Sequence, residues 1–110
     1  SGVTSLVFSD SGIYTLSGDV QPIWTGNCTT CHFTGGTNPN LTSGNSRAAT
    51  VGVASSCTTG TRIIAGNAAS SVLYLRMIGG SCGAMPPSGI LTTTFTDKVR
   101  DWINNGAQNN

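Results

Sequence analysis

The stretch Cys28-Thr29-Thr30-Cys31-His32 determines how the rest of the sequence is interpreted. Two thiols separated by two residues can both reach the vinyl groups on one edge of a haem, and the next side chain is then delivered onto one face of the ring as an iron ligand. His32 is the one histidine of the chain, so chance is a poor explanation of its position directly after Cys31. The pattern predicts one covalently attached haem, bound through Cys28 and Cys31 and ligated by His32.

Two other uses of the C-x-x-C spacing remain as alternatives. A thioredoxin-like redox pair would need a strand before the motif and a long helix after it, whereas Gly26 and Gly35 flank the motif here. A structural zinc site would combine the motif thiols with Cys57 and Cys82, but this second pair lacks the close spacing of zinc ligands. Haem attachment is the favoured interpretation.

The composition indicates one small domain with a thin core. The chain has 110 residues, of which Leu, Ile, Val and Phe supply 6, 7, 7 and 3. This apolar content is close to the level below which chains stay unfolded, so the fold needs a covalent staple or a cofactor. The cysteines, the scarcity of Lys and the lack of Glu are typical of a protein that works outside the cytoplasm.

Charge and hydropathy exclude several classes of function. A net charge of +1 gives no field that would attract nucleic acid or an anionic membrane. No apolar run is long enough for an integral membrane segment. Residues 1 to 20 lack the charged start and apolar stretch of a signal peptide, so an exported protein would be in its mature form here.

The periodicity predicts short helices separated by loops. A first helix begins at Asp19 and ends at Gly26, and one further turn covers residues 47 to 51 in an otherwise loop-like stretch from 33 to 61. A middle helix is capped by Asn67 or Ser70 and stops after Ile78. The last helix runs from Thr92 or Thr93 to Asn105, and its apolar positions recur at helical spacing: Phe95, Val99, Trp102 and Ile103.

The N-terminal residues have a different pattern. Residues 5 to 8 and 13 to 16 are β-prone runs on either side of a cluster of turn formers. We therefore expect a small β-hairpin within an N-terminal extension, residues 1 to 18, followed by the main domain, residues 19 to 110. An exposed strand edge of such a hairpin could add to the sheet of a neighbour.

These motifs in this order resemble the small c-type cytochromes with one haem and with His and Met as axial ligands. The likeness covers residues 19 to 107 and rests on four segments: Asp19-Val20-Gln21-Pro22-Ile23-Trp24 before the Cys28 motif, residues 66 to 74, Met85-Pro86-Pro87, and residues 91 to 107. The resemblance implies a mainly α structure, a cytochrome c fold with short helices and long loops wrapped around one covalent haem. It also implies that Trp24 and Val20 cross Trp102 and Phe95.

Only Met77 and Met85 could supply a thioether to the iron on its second face. Met85 is the better candidate because the two prolines that follow it stiffen its loop, and a stiff loop presents a weak ligand at a low entropic cost. Met77 lies inside the predicted middle helix, where a methionine more often fills a gap in the core.

Two further assignments follow from the haem interpretation. Once haem occupies the motif thiols, Cys57 and Cys82 remain as an even pair and predict a disulfide that restrains the Met85 loop and stabilises the fold by about 3 kcal/mol. Two free buried thiols are the alternative. Arg62 is a candidate partner for a haem propionate, and a solvated arginine would look the same in sequence.

The expected function is electron transfer by a carrier that is not an enzyme, in the periplasm or at the cell surface. Its partners would be redox proteins, further copies of the chain or other cytochrome domains. A haem peroxidase or small-ligand sensor is one alternative, and it would require Met85 to be displaced and an acid or base to stand near the iron. The sequence offers little for that role, because it has no second His and no Glu, and Asp97 and Asp101 fall on the predicted last helix. A module of a larger cell-surface cytochrome assembly is another.

Overall fold

The computed structural model describes residues 14–29, 31–36, 39–55, 58–80, 83, 85 and 89–110. Within these residues the protein is mainly helical, which confirms the predicted class. Four α-helices are present in this part of the chain: α1 (Gln21–Asn27), α2 (Ser46–Thr50), α3 (Val72–Met77) and α4 (Thr93–Asn104). None of the described helices is both long enough and apolar enough to cross a membrane.

The first helical segment begins earlier than the sequence predicts. A π-helical turn, Leu16–Val20, leads directly into α1. Thr15 caps this turn by accepting a hydrogen bond from the Gly18 N–H at 3.0 Å, while the Asp19 carboxylate accepts one from the Thr15 N–H at 2.9 Å. Asp19 therefore stabilises the entry from inside the turn, and the helical segment continues across the predicted boundary between residues 18 and 19.

The predicted N-terminal hairpin lies almost entirely outside the described residues. Of its second strand, only residues 14 to 16 are described. Tyr14 and Thr15 belong to no strand, and Leu16 is already the first residue of the π-helical turn. Leu16 is buried in the same apolar core as α1 and α4, so helical packing takes precedence over its β propensity.

Between α2 and α3 the backbone forms isolated β-bridges. Val51 pairs with Ile63, and Thr61 pairs with Ser71, both in the parallel sense. Asn67 caps as predicted, because its side chain accepts a hydrogen bond from the Ser70 N–H at 3.2 Å, but it caps a separate 3-10 turn, Ala68–Ser70, and α3 starts only at Val72. The chain becomes extended at Ser71 before α3 begins.

The core forms where α4 approaches the segment that contains α1. The rings of Trp24 and Trp102 meet edge to face, with centroids 5.9 Å apart and an interplanar angle of 84°. This pairing confirms the predicted contact between the two tryptophans. The inward placement of Phe95 was wrong, because its side chain is 40% exposed while Thr96 is buried. Successive side chains on a helix point in directions about 100° apart around its axis, so Phe95 and Thr96 do not both face the core.

Candidate functional site

The end of α1 positions the two motif thiols. Cys28 is the C-cap residue, and its N–H donates to the Trp24 carbonyl at 2.8 Å. The chain then reverses, because the N–H groups of Cys31 and His32 both donate to the Cys28 carbonyl, at 3.2 and 2.9 Å. Cys28 is half-buried against the core, Cys31 is exposed, and both thiols are free. A tight turn thus brings the three predicted site residues together; Thr30 lies outside the described residues.

Burial raises the pKa of the Cys28 thiol from 9.0 to about 11, because a thiolate loses hydration where the end of α1 packs on the core. A thioredoxin-like pair has the reverse arrangement, in which a helix starts at the first cysteine and lowers its pKa. Here α1 ends at Cys28, and residues 31 to 36 form turns. The geometry therefore argues against a catalytic redox pair.

The loop after the motif fixes the orientation of the His32 ring. His32 Nδ1 lies 3.0 Å from the carbonyl oxygen of Pro39. A carbonyl oxygen can only accept, so Nδ1 is the donor in this contact, and Nε2 is the ring nitrogen that could bind a metal. The His32 carbonyl in turn accepts from the Leu41 N–H at 3.0 Å. The contact between Nδ1 and Pro39 is the outer hydrogen bond that metal-ligating histidines require.

Two glycines allow the loop to turn back beside the motif. Gly35 has a φ of +84°, which side chains with a Cβ rarely adopt. Gly36 is needed for space, because a Cβ there would lie 2.7 Å from the Cys31 carbonyl oxygen and 2.8 Å from the nearest carbon of the Phe33 ring. The loop therefore packs directly on the backbone of the motif.

The two methionines lie in different environments. Met77, at the end of α3, is 3% exposed and belongs to the apolar core, as predicted. Met85 is half-buried, and its N–H donates to the Arg76 carbonyl at 2.9 Å, which attaches its segment to the C-terminal end of α3. Its assignment as the second axial ligand stays a prediction.

Arg62 makes a contact within the protein. Its Nη1 donates to the Ala49 carbonyl at 2.8 Å, and its side chain is half-buried. A guanidinium has five N–H groups, so this contact leaves capacity for a second acceptor. The propionate assignment also stays a prediction.

One buried donor near the motif lacks an acceptor. Trp24 is fully buried, and its Nε1–H has no hydrogen-bond partner in the described part of the protein. The corresponding Nε1–H of Trp102 donates to the Gln108 carbonyl at 3.0 Å. An unsatisfied buried donor costs about 1–3 kcal/mol, so the Trp24 side chain stabilises the described fold through the packing of its ring and not through its polar atom.

The acidic side chains in the described part of the chain all have contacts within the protein. Asp97 and Asp101 both lie on α4 and pair with Arg100, at 3.2 and 2.9 Å. The hydrogen bond to Asp101 and the charges of both carboxylates raise the pKa of Arg100 above its usual value. Asp19 is hydrogen-bonded to Thr15 at the entry to the first helix.

The remaining candidate site residues concern a metal cluster and the second cysteine pair. Among the described residues, no three His, Cys, Asp or Glu side chains are grouped so that they could hold a metal ion. A haem iron needs no such cluster, because the porphyrin supplies four of its ligands. Cys57 and Cys82 lie outside the described residues, so the disulfide between them stays a prediction.

The sequence analysis missed the role of two residues. Pro39 lies in the predicted loop from 33 to 61, and it contacts His32 through its backbone carbonyl, a group that every residue has. Gln21 belongs to the segment before the motif, and the sequence did not indicate that its side-chain amide is buried and hydrogen-bonded through both its nitrogen and its oxygen. A polar residue next to Pro22 in an apolar helix face was the one available signal. Comparisons of the chain with protein-family profiles, with curated proteins and with solved structures found no match.

Proposed function

We propose that this chain is a c-type cytochrome domain that carries one electron at a time through a single covalently held haem. One observation supports the proposal above all others: two free thiols and an imidazole whose Nδ1–H is bonded to Pro39 lie within one turn of the backbone. When it is bound, a haem supplies one-electron exchange between Fe(III) and Fe(II).

In this proposal Cys28 and Cys31 hold the group. Each thiol adds across one vinyl double bond: a sulfur–carbon bond forms, the thiol hydrogen goes to the other vinyl carbon, and no oxidant is needed. The raised pKa of Cys28 makes this thiol a weak nucleophile in the folded chain. Attachment is therefore easier before α1 packs on the core.

If haem is bound, His32 would hold its iron through Nε2 and Met85 would hold it through its sulfur. The contact between His32 Nδ1 and the Pro39 carbonyl supports Nε2 as the atom that would bind the iron. Of the two methionines, Met77 is occupied in the core, which supports Met85. Such a haem would supply electron exchange, and two protein ligands on its iron would leave no position for oxygen or peroxide.

A carrier is favoured over a peroxidase because the described aspartates already form ion pairs or hydrogen bonds within the protein. Asp97 and Asp101 pair with Arg100, and Asp19 stabilises a helix entry. The proposed location is outside the cytoplasm, where haem is attached to such motifs, and the proposed partners are redox proteins or other cytochrome domains.

The test is the mass and colour of the protein made in cells that carry the haem-attachment machinery. The unmodified chain should keep its haem after denaturation and thiol treatment and weigh one haem more than the polypeptide. The double variant Cys28→Ser, Cys31→Ser should lose the haem on denaturation, whereas Thr29→Ser, which leaves the motif intact, should keep it. A colourless product with the bare polypeptide mass would refute the proposal.

A further inference from the structure

Gln21, the first residue of α1, is a buried polar side chain whose hydrogen bonds link three segments. It is 6% exposed. Its Nε2 donates to the Leu41 carbonyl at 2.8 Å and to the Thr25 hydroxyl at 3.1 Å, and its Oε1 accepts from the Ser46 hydroxyl at 2.6 Å. Ser46 is itself 1% exposed. An amide that is buried and satisfied at both ends holds its partners in one arrangement.

One of these partners, Leu41, belongs to the segment that orients His32. The Leu41 N–H donates to the His32 carbonyl at 3.0 Å, and Pro39, two residues earlier, accepts from the His32 ring at 3.0 Å. Gln21 holds the opposite side of the same segment through the Leu41 carbonyl. Residues 39 to 41 therefore lie between the His32 ring on one side and α1 on the other.

The same helix thus holds both parts of the candidate site. Cys28 is attached to the C-terminal end of α1 through the Trp24 carbonyl. The segment that carries the Pro39 carbonyl is attached to the N-terminal end of α1 two residues later, where Gln21 donates to the Leu41 carbonyl. The three hydrogen bonds of the Gln21 side chain go to Thr25, Leu41 and Ser46, and none of them goes to a motif cysteine.

We propose that Gln21 is a positioning residue that sets the direction and strength of the hydrogen bond from His32 Nδ1–H to Pro39. The inference rests on the proposed function, because the consequence of this bond is the electron-donating power of His32 Nε2 toward iron. Outer partners of this kind orient a metal-ligating histidine and raise its basicity. A weaker bond to Pro39 makes Nε2 a poorer donor, favours Fe(II) and raises the reduction potential.

The experiment compares Gln21→Met with Ser46→Ala in the haem-loaded protein. Gln21→Met keeps the approximate size of the side chain and removes its three hydrogen bonds, including the one to Leu41. Ser46→Ala removes a buried hydrogen bond to the same amide but leaves the Leu41 bond in place. The measurements are the hydrogen-exchange rate of His32 Nδ1–H in the ferrous protein, followed by ¹⁵N NMR, and the reduction potential.

Gln21→Met should accelerate exchange of the imidazole proton by about tenfold or more and raise the potential, whereas Ser46→Ala should change the exchange rate by less than about threefold. Should Gln21→Met alone not fold, the double variant Gln21→Met, Ser46→Ala is compared with Ser46→Ala. Removing both members of a buried pair is milder than removing one.

Two results would overturn the inference. Equal changes in Gln21→Met and Ser46→Ala would show a general loss of packing, and an unchanged His32 signal in a haem-loaded Gln21→Met protein would show that Pro39 is positioned without Gln21. In both cases the proposed function would stand. A chain that takes up no haem at all would refute the proposed function and this inference together.

Discussion

Replacing Gly36 with alanine tests how closely the loop packs on the motif. The new Cβ would lie 2.7 Å from the Cys31 carbonyl oxygen, which is roughly 0.7 Å inside ordinary van der Waals separation. The exposed Phe33 ring, at 2.8 and 2.9 Å, can turn aside, but the Cys31 carbonyl is part of the backbone between the thiols and His32. Moving it disturbs the motif itself.

Overpacking of this kind costs about 1–3 kcal/mol. For a chain of 110 residues, this cost corresponds to a fall in Tm of about 4–13 °C. We expect Gly36→Ala to show such a fall in far-UV circular dichroism and to accumulate less haem-loaded protein. The loss of haem attachment should exceed that of a variant with an equal Tm whose substitution lies far from the motif.

Gly26→Ala is the matched control. Gly26 lies inside α1, and an added Cβ there would meet nothing within 4 Å. Alanine should therefore stabilise the helix by about 0.5–1 kcal/mol. If Gly36→Ala melts at or above the temperature of the unmodified protein, the packing of the loop on the Cys31 carbonyl is not as described and the argument fails.

Three further predictions follow from the site. Met85→Ala should open the iron so that carbon monoxide binds the reduced protein readily. Met77→Leu should cost less than about 1.5 kcal/mol of stability and leave the optical spectrum unchanged. If Met85→Ala changes neither the spectrum nor the binding of carbon monoxide, Met85 is not the ligand. Trp102→Phe should destabilise the protein in urea by about 1 kcal/mol more than Trp24→Phe, because only Trp102 loses a hydrogen bond; equal losses would contradict this. In the chain without haem, the neutral Cys28 thiol favours the folded state below pH 9. This contribution to the free energy of unfolding should disappear as the pH rises from 9 to about 11. Denaturant titrations at each pH measure it, and the stability of Cys28→Ser should lack this pH dependence.

The helices were predictable where one face of the sequence is apolar and the ends carry capping residues. α4 and the turn capped by Asn67 fall close to their predicted bounds because periodicity and caps are local properties. The π-helical turn before α1 was missed because the β-prone Leu16 enters the core through a contact with distant parts of the chain. Its N–H donates to the Asn110 side chain at 2.9 Å, a partner 94 positions away that local patterns cannot indicate.

Part of the candidate site was also predictable from local sequence, and part of it was not. The turn that joins Cys28, Cys31 and His32 was predictable because a spacing of five consecutive residues encodes it. The hydrogen bond that orients His32 was not, since its acceptor is a backbone carbonyl at Pro39 and residue types say nothing about carbonyls. Gln21 needed the structure as well, because its partner Leu41 lies 20 positions away.

The tryptophan pair makes the state of this protein visible by fluorescence. Trp24 and Trp102 are the two tryptophans of the chain, and both are buried. Trp24 precedes Cys28 by four residues of helix, a separation of about 6 Å along the axis. A haem absorbs at the wavelengths at which indole emits, so energy transfer over such a distance would leave the folded, loaded protein nearly dark. A folded chain that failed to receive haem would emit like any buried indole. Unfolding of the loaded chain would restore the emission of Trp102 before that of Trp24, because covalent attachment keeps only Trp24 close to the quencher.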